Sequence, residues 1–399
     1  MSKTLKTSDD RDALVTSAKA RFANRNILVD EELLKFFPKL EKSLTIKPFK
    51  GRSLCDRILK DTEVLVIRSV TPISRELLNG SRIKLVCSAT SGVDHIDRKY
   101  LKRSNIKLIN APGSNAIAVV EYIIFTILLY SQDIGKPLEN FKVGVVGYGE
   151  IGSRLTQLLE KLGVQVLVND PPKNKNHELN REHFSLQKIV AECDCLTVHV
   201  PLVDKSEYPT TNLFDYEILK DIKNEALIIN SSRGNIIKES DLFTLLEKKS
   251  SVKVALDCWI NEPTINALLA RKIWLSTPHI AGATLESKMR AVQKIIPAIY
   301  SYFGLSKNDL ISDTEKFFEK IDIKTDGLDL NKGTDTILPL MSISKQLKKK
   351  SEQNLSMLPP EEFDNLRKSV SGRRELANYS LPENHVFLNK VKKLLIEIS

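Results

Sequence analysis

The sequence has little of what marks secreted, membrane-spanning or nucleic-acid-binding chains. Of its 399 residues only five are cysteine: Cys55, Cys87, Cys193, Cys195 and Cys258. An odd count set in apolar runs does not build a disulfide framework, and it reads as reduced, buried thiols of a cytoplasmic protein. Cys193 and Cys195 have neither a second cysteine pair nor a histidine at metal-site spacing, so no metal site is expected. The first 25 residues are polar and charged, without the apolar core of a signal peptide, and are expected to be disordered or extended. The most apolar window, Ala116 to Tyr130, is about fifteen residues long and carries Glu121. That is too short and too charged for a bilayer, so a buried helix is expected and no membrane partner. The net charge of +10 is spread along the chain, with no basic block of the kind that grips nucleic acid. A mild positive field of this sort favours small anionic ligands.

What is present is organised around residues 143–152. The apolar run Val143 to Val146 passes into Gly147-Tyr148-Gly149-Glu150-Ile151-Gly152, a G-x-G-x-x-G that opens a helix. Ile151, Leu155, Leu158, Leu159 and Leu162 then recur on one face, and Gly163 supplies a stop. A second β-branched run, Val164 to Val168, leads to Asp170. In this arrangement the first glycine makes a tight turn, the second lets backbone N–H groups approach a pyrophosphate, and the third lets helix and strand pack closely. The pyrophosphate would meet the positive helix end. Asp170 is placed to accept from the adenosine ribose hydroxyls and to repel a 2′-phosphate, so NAD is expected over NADP. Glycines also serve turns alone; strand, glycines, striped helix, second strand and acid together favour the dinucleotide reading.

Short apolar runs alternate with helix-compatible segments on both sides of this motif. Asn26 to Asp30, Val64 to Val70, Lys84 to Thr90 and Lys107 to Asn110 predict a first parallel sheet. Beyond Asp170, Cys195 to Val200, Ala226 to Asn230, Val252 to Asp257 and Ile273 to Ser276 bring the second sheet to about six strands. The expected class is α/β, with two doubly wound parallel-sheet domains and a small C-terminal α+β domain. The boundaries read as an N-terminal segment 1–25, a discontinuous substrate domain at 26–115 and 281–304, a nucleotide domain at 116–280, and a C-terminal domain at 305–399. A helix is expected from Leu285 to Phe303, a polar connection near 326–336, and an amphipathic closing segment from Val386 to Ile398.

Chemistry in such folds is sought where loops leave the carboxyl ends of strands. Arg233 follows ALIINSS, Glu262 follows Asp257-Cys258-Trp259, and His279 follows IWLSTP. Arginine offers a planar fork to a carboxylate. Histidine exchanges a proton near neutral pH, and a carboxylate beside it raises its pKa. Oxidising an alcohol needs such a base while hydride leaves for nicotinamide, yet each residue taken singly also admits a structural role. Arg68, beside Ser69 at a strand end, is placed either to clamp a phosphate or to form a surface ion pair. Arg367, Arg373 and Arg374 read as a solvated basic face, with reach to a phosphate across a dimer as the alternative.

From about residue 26 to 380 the wording resembles the D-2-hydroxyacid dehydrogenase family. The carriers are Gly92 to Asp97, Asn115 to Tyr122, Gly147 to Gly152, Ser232-Arg233-Gly234, Asp257-Cys258-Trp259 with Glu262-Pro263, and Thr277 to Gly282. Ile27 to Glu31, Val66 to Thr71, Asp170-Pro171-Pro172, and Glu362 to Lys368 with Arg373-Arg374-Glu375 are similar to the branch that acts on 4-phospho-D-erythronate. The resemblance implies that Arg233 holds the substrate carboxylate and C2 oxygen, His279 is the acid/base, and Glu262 is its partner. Asp170, Asp257 and Gly282, with the glycine turn, would bind NAD, while Ser69 and Thr90 would contact substrate. It further implies a homodimer joined by the C-terminal domain. The implied reaction yields (R)-3-hydroxy-2-oxo-4-phosphobutanoate on the way to pyridoxal 5′-phosphate. The sequence departs from the branch at Ala283, where a tyrosine is implied, and at Val200, where a threonine is. A dehydrogenase for another D-2-hydroxyacid, such as 3-phosphoglycerate, and an NAD-sensing corepressor-like protein are the alternatives.

Overall fold

The computed structural model describes residues 25–38, 44–305, 321–322, 338–354 and 356–399. The expectations for residues 1–24 and for the 326–336 connection lie outside the described residues. The described chain divides into two compact units: 25–112 with 288–305, and 113–287 with the C-terminal residues from 321 on.

The first unit holds a parallel sheet of β1 (Arg25–Asp30), β2 (Leu44–Phe49), β3 (Thr62–Ile67), β4 (Leu85–Ser88) and β5 (Lys107–Asn110). Its order is β2-β1-β3-β4-β5. Val64 to Ile67 are fully buried, as strands covered on both faces must be. β2 escapes the sequence pattern because Lys47 and Pro48 interrupt it; a proline is tolerated there because β2 is an edge strand. The order reverses between β1 and β3. At that point Asp30 caps the short turn Glu31–Phe36, accepting from the Glu32 N–H at 3.0 Å. The same carboxylate oxygen pairs with Arg68 Nε at 2.8 Å.

The second unit holds β6 (Lys142–Val146), β7 (Gln165–Asn169), β8 (Cys195–Val198), β9 (Leu227–Asn230), β10 (Lys253–Leu256), β11 (Ile265–Asn266) and β12 (Leu275–Ser276). Six of them form a parallel sheet in the order β12-β10-β9-β8-β6-β7, and a lone parallel bridge from Val168 to His183 extends its β7 edge. The chain runs one way from β6 to β7 and the other from β8 onward, so the switch point lies between β6 and β8. That is where doubly wound folds place ligands.

The Glu150–Lys161 helix buries Leu155, Leu158 and Leu159 and ends at Gly163, whose φ of +88° is cheap only without a Cβ. The apolar window is an 18-residue helix, Ala116–Asp133. Length and composition would let it cross a membrane, but 78% of it is buried inside the protein. Its side chains share a core with Val143, Leu155, Leu158, and Leu388, Val391 and Leu395 of the C-terminal Val386–Glu397 helix. The Leu340–Glu352 and Pro360–Ser369 helices send Leu347, Phe363 and Leu366 into the unit's other core cluster. The described C-terminal segment is therefore anchored by apolar burial within the second unit.

Arg373 and Arg374 correct the sequence reading: they are 7% and 8% exposed rather than a solvated face. Buried guanidinium needs partners. Arg374 pairs with the buried Glu286 carboxylate, which also accepts from the Glu375 N–H at 3.1 Å and from Asn378 at 2.9 Å. Thr284 donates to Glu375 at 2.9 Å, and the Leu376 N–H to Glu121 at 2.6 Å. Burial pushes the Glu121 carboxyl well above its usual range, and the charge of Glu375 adds to the push.

Candidate active site

The glycine turn leaves β6 at the switch point. Gly147 has φ +96°, and a Cβ there would lie 2.8 Å from the backbone of His199 and Val200 at the end of β8. A Cβ on Gly152 would lie 2.0 Å from the Gly147 carbonyl oxygen, so helix and turn touch backbone to backbone. Gly149 differs: it is the N-cap of the Glu150–Lys161 helix, and nothing lies within 4 Å of an added Cβ. The open space sits at the positive helix end, where the first N–H groups have no intrahelical acceptor. Glu150 turns its carboxylate to Arg154 at 2.7 Å. Ile151 packs against the core.

Asp170, one residue past β7, accepts from the Tyr148 N–H at 2.8 Å and caps the next short helix by accepting from the Lys173 N–H at 3.0 Å. Lys173 Nζ donates in turn to the Tyr148 carbonyl at 2.8 Å. The acid thus shapes the turn, and each oxygen retains a lone pair for a ribose hydroxyl.

Three further loops leave the same carboxyl edge of the sheet. After β9, the buried Asn230 amide donates to the Arg233 carbonyl at 2.8 Å and its oxygen accepts from the Ser232 hydroxyl at 2.8 Å, fixing the turn that carries Arg233. Arg233 Nη1 donates to the Ser232 carbonyl at 2.7 Å. A Cβ on Gly234 would lie 2.1 Å from the Trp259 carbonyl carbon, so this turn is seated directly on the loop after β10. That loop carries Glu262, which accepts from the Trp259 N–H at 2.8 Å. The other Glu262 oxygen meets His279 Nδ1 at 2.6 Å. A carboxylate only accepts, so the shared proton belongs to Nδ1, and in the neutral ring the lone pair is on Nε2.

Burial by itself would pull the His279 pKa down. The Cys258 sulfur and the Glu262 carboxylate beside the ring outweigh it and hold the imidazole well above its usual value. Burial likewise favours the neutral form of Glu262, but the histidine's charge and hydrogen bond keep its pKa low, with Arg367 adding to them. His199 contrasts: its Nε2 meets Thr197 at 3.0 Å, and burial pushes its pKa down to about 3, so it stays neutral.

His279 sits at φ +53°, a conformation that costs energy for a residue with a Cβ. The loop is held there by two buried charged residues. Asp257, fully buried, accepts from the Ile280 and Ala281 N–H groups at 2.7 and 2.9 Å and from the Thr277 hydroxyl at 2.7 Å. Its backbone carbonyl accepts from the His279 N–H at 2.8 Å. Arg373 in turn donates to the Ala281 carbonyl at 2.7 Å. Gly282 lies against Asn115, where a Cβ would approach the amide nitrogen to 2.6 Å. Asn230 and Arg373 were missed as site residues in the sequence. An asparagine closing a strand was a signal; nothing local links Arg373 to a loop 92 residues away.

In the first unit Arg68 is ion-paired with Asp30, Ser69 is exposed, and the Thr90 hydroxyl donates to the Gly92 carbonyl at 2.8 Å.

Residues 129–281 match the family described as D-isomer specific 2-hydroxyacid dehydrogenase, NAD binding domain. A protein from Hahella chejuensis named erythronate-4-phosphate dehydrogenase is 39% identical over 70% of this chain and 72% of its own length. One of the same name from Photorhabdus laumondii is 33% identical over 89% of this chain and 94% of its own. Among solved structures, NAD+-bound 3-phosphoglycerate dehydrogenase of Entamoeba histolytica aligns with a TM-score of 0.60 at 22% identity, over 71% of this chain and 96% of that one. That likeness bears on the fold. The open helix end at Gly149 and the paired glycines fit the cofactor that the matched domain binds, and the cofactor of this chain is NAD. By residue match and relatives alike, the chain belongs to the D-isomer specific 2-hydroxyacid dehydrogenase family and is an NAD-dependent oxidoreductase.

Proposed function

We propose that the chain oxidises 4-phospho-D-erythronate at C2, with His279 as the base. The observation that carries this reading is the 2.6 Å contact between His279 Nδ1 and Glu262, which leaves Nε2 free to take the C2 hydroxyl proton. Bound NAD supplies the hydride acceptor. As the proton arrives, the Glu262 carboxylate stabilises the imidazolium, and the Arg233 fork holds the substrate carboxylate. The glycine turn and Asp170 hold the cofactor, and Asp257 and Gly282 shape the His279 loop beside it. Ser69 and Thr90 contact substrate on the strength of the resemblance, and Arg68 clamps its phosphate or carboxylate on the strength of its strand-end position; the homodimer and the place in pyridoxal 5′-phosphate synthesis rest on the resemblance, and the cytoplasmic location on the unpaired cysteines.

The relatives' names support the phosphorylated four-carbon acid. Ala283 supports a second reading, a related acid such as 3-phosphoglycerate, because a methyl group cannot make the hydroxyl contact the first acid is expected to receive. Measuring NADH formation with each acid separates the two. A kcat/KM at least about tenfold higher for 4-phospho-D-erythronate supports the first reading, and preference for 3-phosphoglycerate rejects it. Sedimentation of the full chain tests the dimer.

A further inference from the structure

The loops after β10 and β12 bring to the Glu262–His279 pair a third donor, Cys258, that takes no part as a reacting group in the proposed oxidation. The sulfur of Cys258, a carboxylate oxygen of Glu262 and a ring nitrogen of His279 all lie within 4.8 Å of one another. It is the one such group found among the described residues, and it does not involve Cys193 or Cys195. Cys258 is buried, while Glu262 and His279 are partly exposed, so an ion has a way in from the solvent side.

Thiolate, imidazole and carboxylate are the ligands zinc uses, with bonds of about 2.0–2.3 Å, which set tetrahedral ligand atoms roughly 3.3–3.7 Å apart. Bringing the three donors to that spacing takes a movement of about 1.5 Å at most, with the 2.6 Å His279–Glu262 contact opening as the ion enters. Two of them are already held: Glu262 by the Trp259 N–H, and the His279 backbone by the Asp257 carbonyl. The sulfur selects against magnesium and calcium, which want oxygen alone.

We propose that Cys258, Glu262 and His279 form a Zn2+ site that switches the enzyme off by taking His279 out of proton transfer. The metal displaces the thiol proton, which is released to water, and takes the place of the proton between His279 and Glu262, which moves to Nε2 and blocks it as a base; water fills the fourth position, and nothing is oxidised or reduced. The inhibitory part rests on the proposed role of His279; the binding part does not.

The test titrates the full chain with Co2+ alone, without substrate or NAD. Wild type is expected to show a thiolate-to-metal charge-transfer band and tetrahedral absorption; Cys258→Val should lose the band, and His279→Asn should weaken Co2+ binding by at least about tenfold. In turnover assays Zn2+ should inhibit wild type, EDTA should restore it, and Cys258→Val, each rate taken relative to the same variant's metal-free rate, should need at least about tenfold more Zn2+ for half-inhibition. A band that survives Cys258→Val but vanishes with Cys55→Ser would place the metal at the exposed cysteine and overturn the proposal. So would equal Zn2+ inhibition of wild type and Cys258→Val, or the absence of any band. Because the Co2+ spectrum needs no substrate, it decides the site even if the chain oxidises a different acid.

Discussion

The two parallel sheets share a strand order about their switch points and use them in opposite ways. In the first unit the reversal between β1 and β3 is filled by side chains: Asp30 caps a turn and pairs with Arg68. In the second, the reversal between β6 and β8 is built of glycine backbone and leaves open space at a helix end. Topology offers the same crevice twice, and residue chemistry decides which one takes a dinucleotide. In the first the acid is engaged by a turn N–H and a guanidinium, and in the second the helix N–H groups have no intrahelical acceptor and remain available.

The sharpest way to break the comparison is to remove the chemistry of the second unit alone. His279→Ala and Arg233→Ala should each lower turnover by roughly 10²–10⁴-fold while NADH fluorescence titration returns a nearly unchanged Kd. A matching loss of NADH affinity would show that these groups hold cofactor rather than substrate.

Glycine substitutions then contrast the two switch points. Gly152→Ala forces a Cβ to 2.0 Å from the Gly147 carbonyl and should abolish NADH binding together with a stability loss of about 1–3 kcal/mol. Gly51→Ala meets Asp30 Oδ2 at 2.6 Å and should lower Tm similarly, with the NADH Kd unchanged. If Gly51→Ala weakened NADH binding as much as Gly152→Ala does, the division of labour would be wrong.

Arg373→Met removes the clamp on the Ala281 carbonyl, and the strained His279 loop should lose its register. A fall in kcat of roughly tenfold, larger than any change in KM, is expected at matched thermal stability. Loss of stability alone, with normal kcat, would reduce Arg373 to a structural part. The smallest effect is expected from Asp170→Ala, which should narrow the preference for NAD over NADP, read as the ratio of kcat/KM values. Because Asp170 also holds the Tyr148 N–H, some loss of NAD affinity should accompany it.

Much of this was legible in the sequence where local pattern and tertiary role coincide. The Leu285–Phe303 helix, strand Lys107–Asn110 and the glycine-turn helix follow from apolar periodicity and stop signals. The pairing of Glu262 with His279 was readable because both close strands of one sheet. The Leu340–Glu352 and Pro360–Ser369 helices were not assigned, since their charged outer faces, lysine-rich in the first and more acidic than basic in the second, dilute an apolar stripe that long-range burial alone explains. For the same reason Arg373 and Arg374 were misread: a cluster of cations looks solvated until Glu286 and the loop carbonyls, distant in sequence, are seen to meet it.

The central claim is that a carboxylate-steadied imidazole accepts the substrate proton, and the pH dependence of kcat/KM for hydroxyacid oxidation tests it most directly. His279 must be neutral to act as base, and its pKa is raised; activity should therefore rise with pH up to that pKa and level off above it. Glu262→Gln removes the charge that favours the imidazolium, so the rising limb should move to lower pH while the plateau falls. A limb that stays in place in Glu262→Gln would contradict the account.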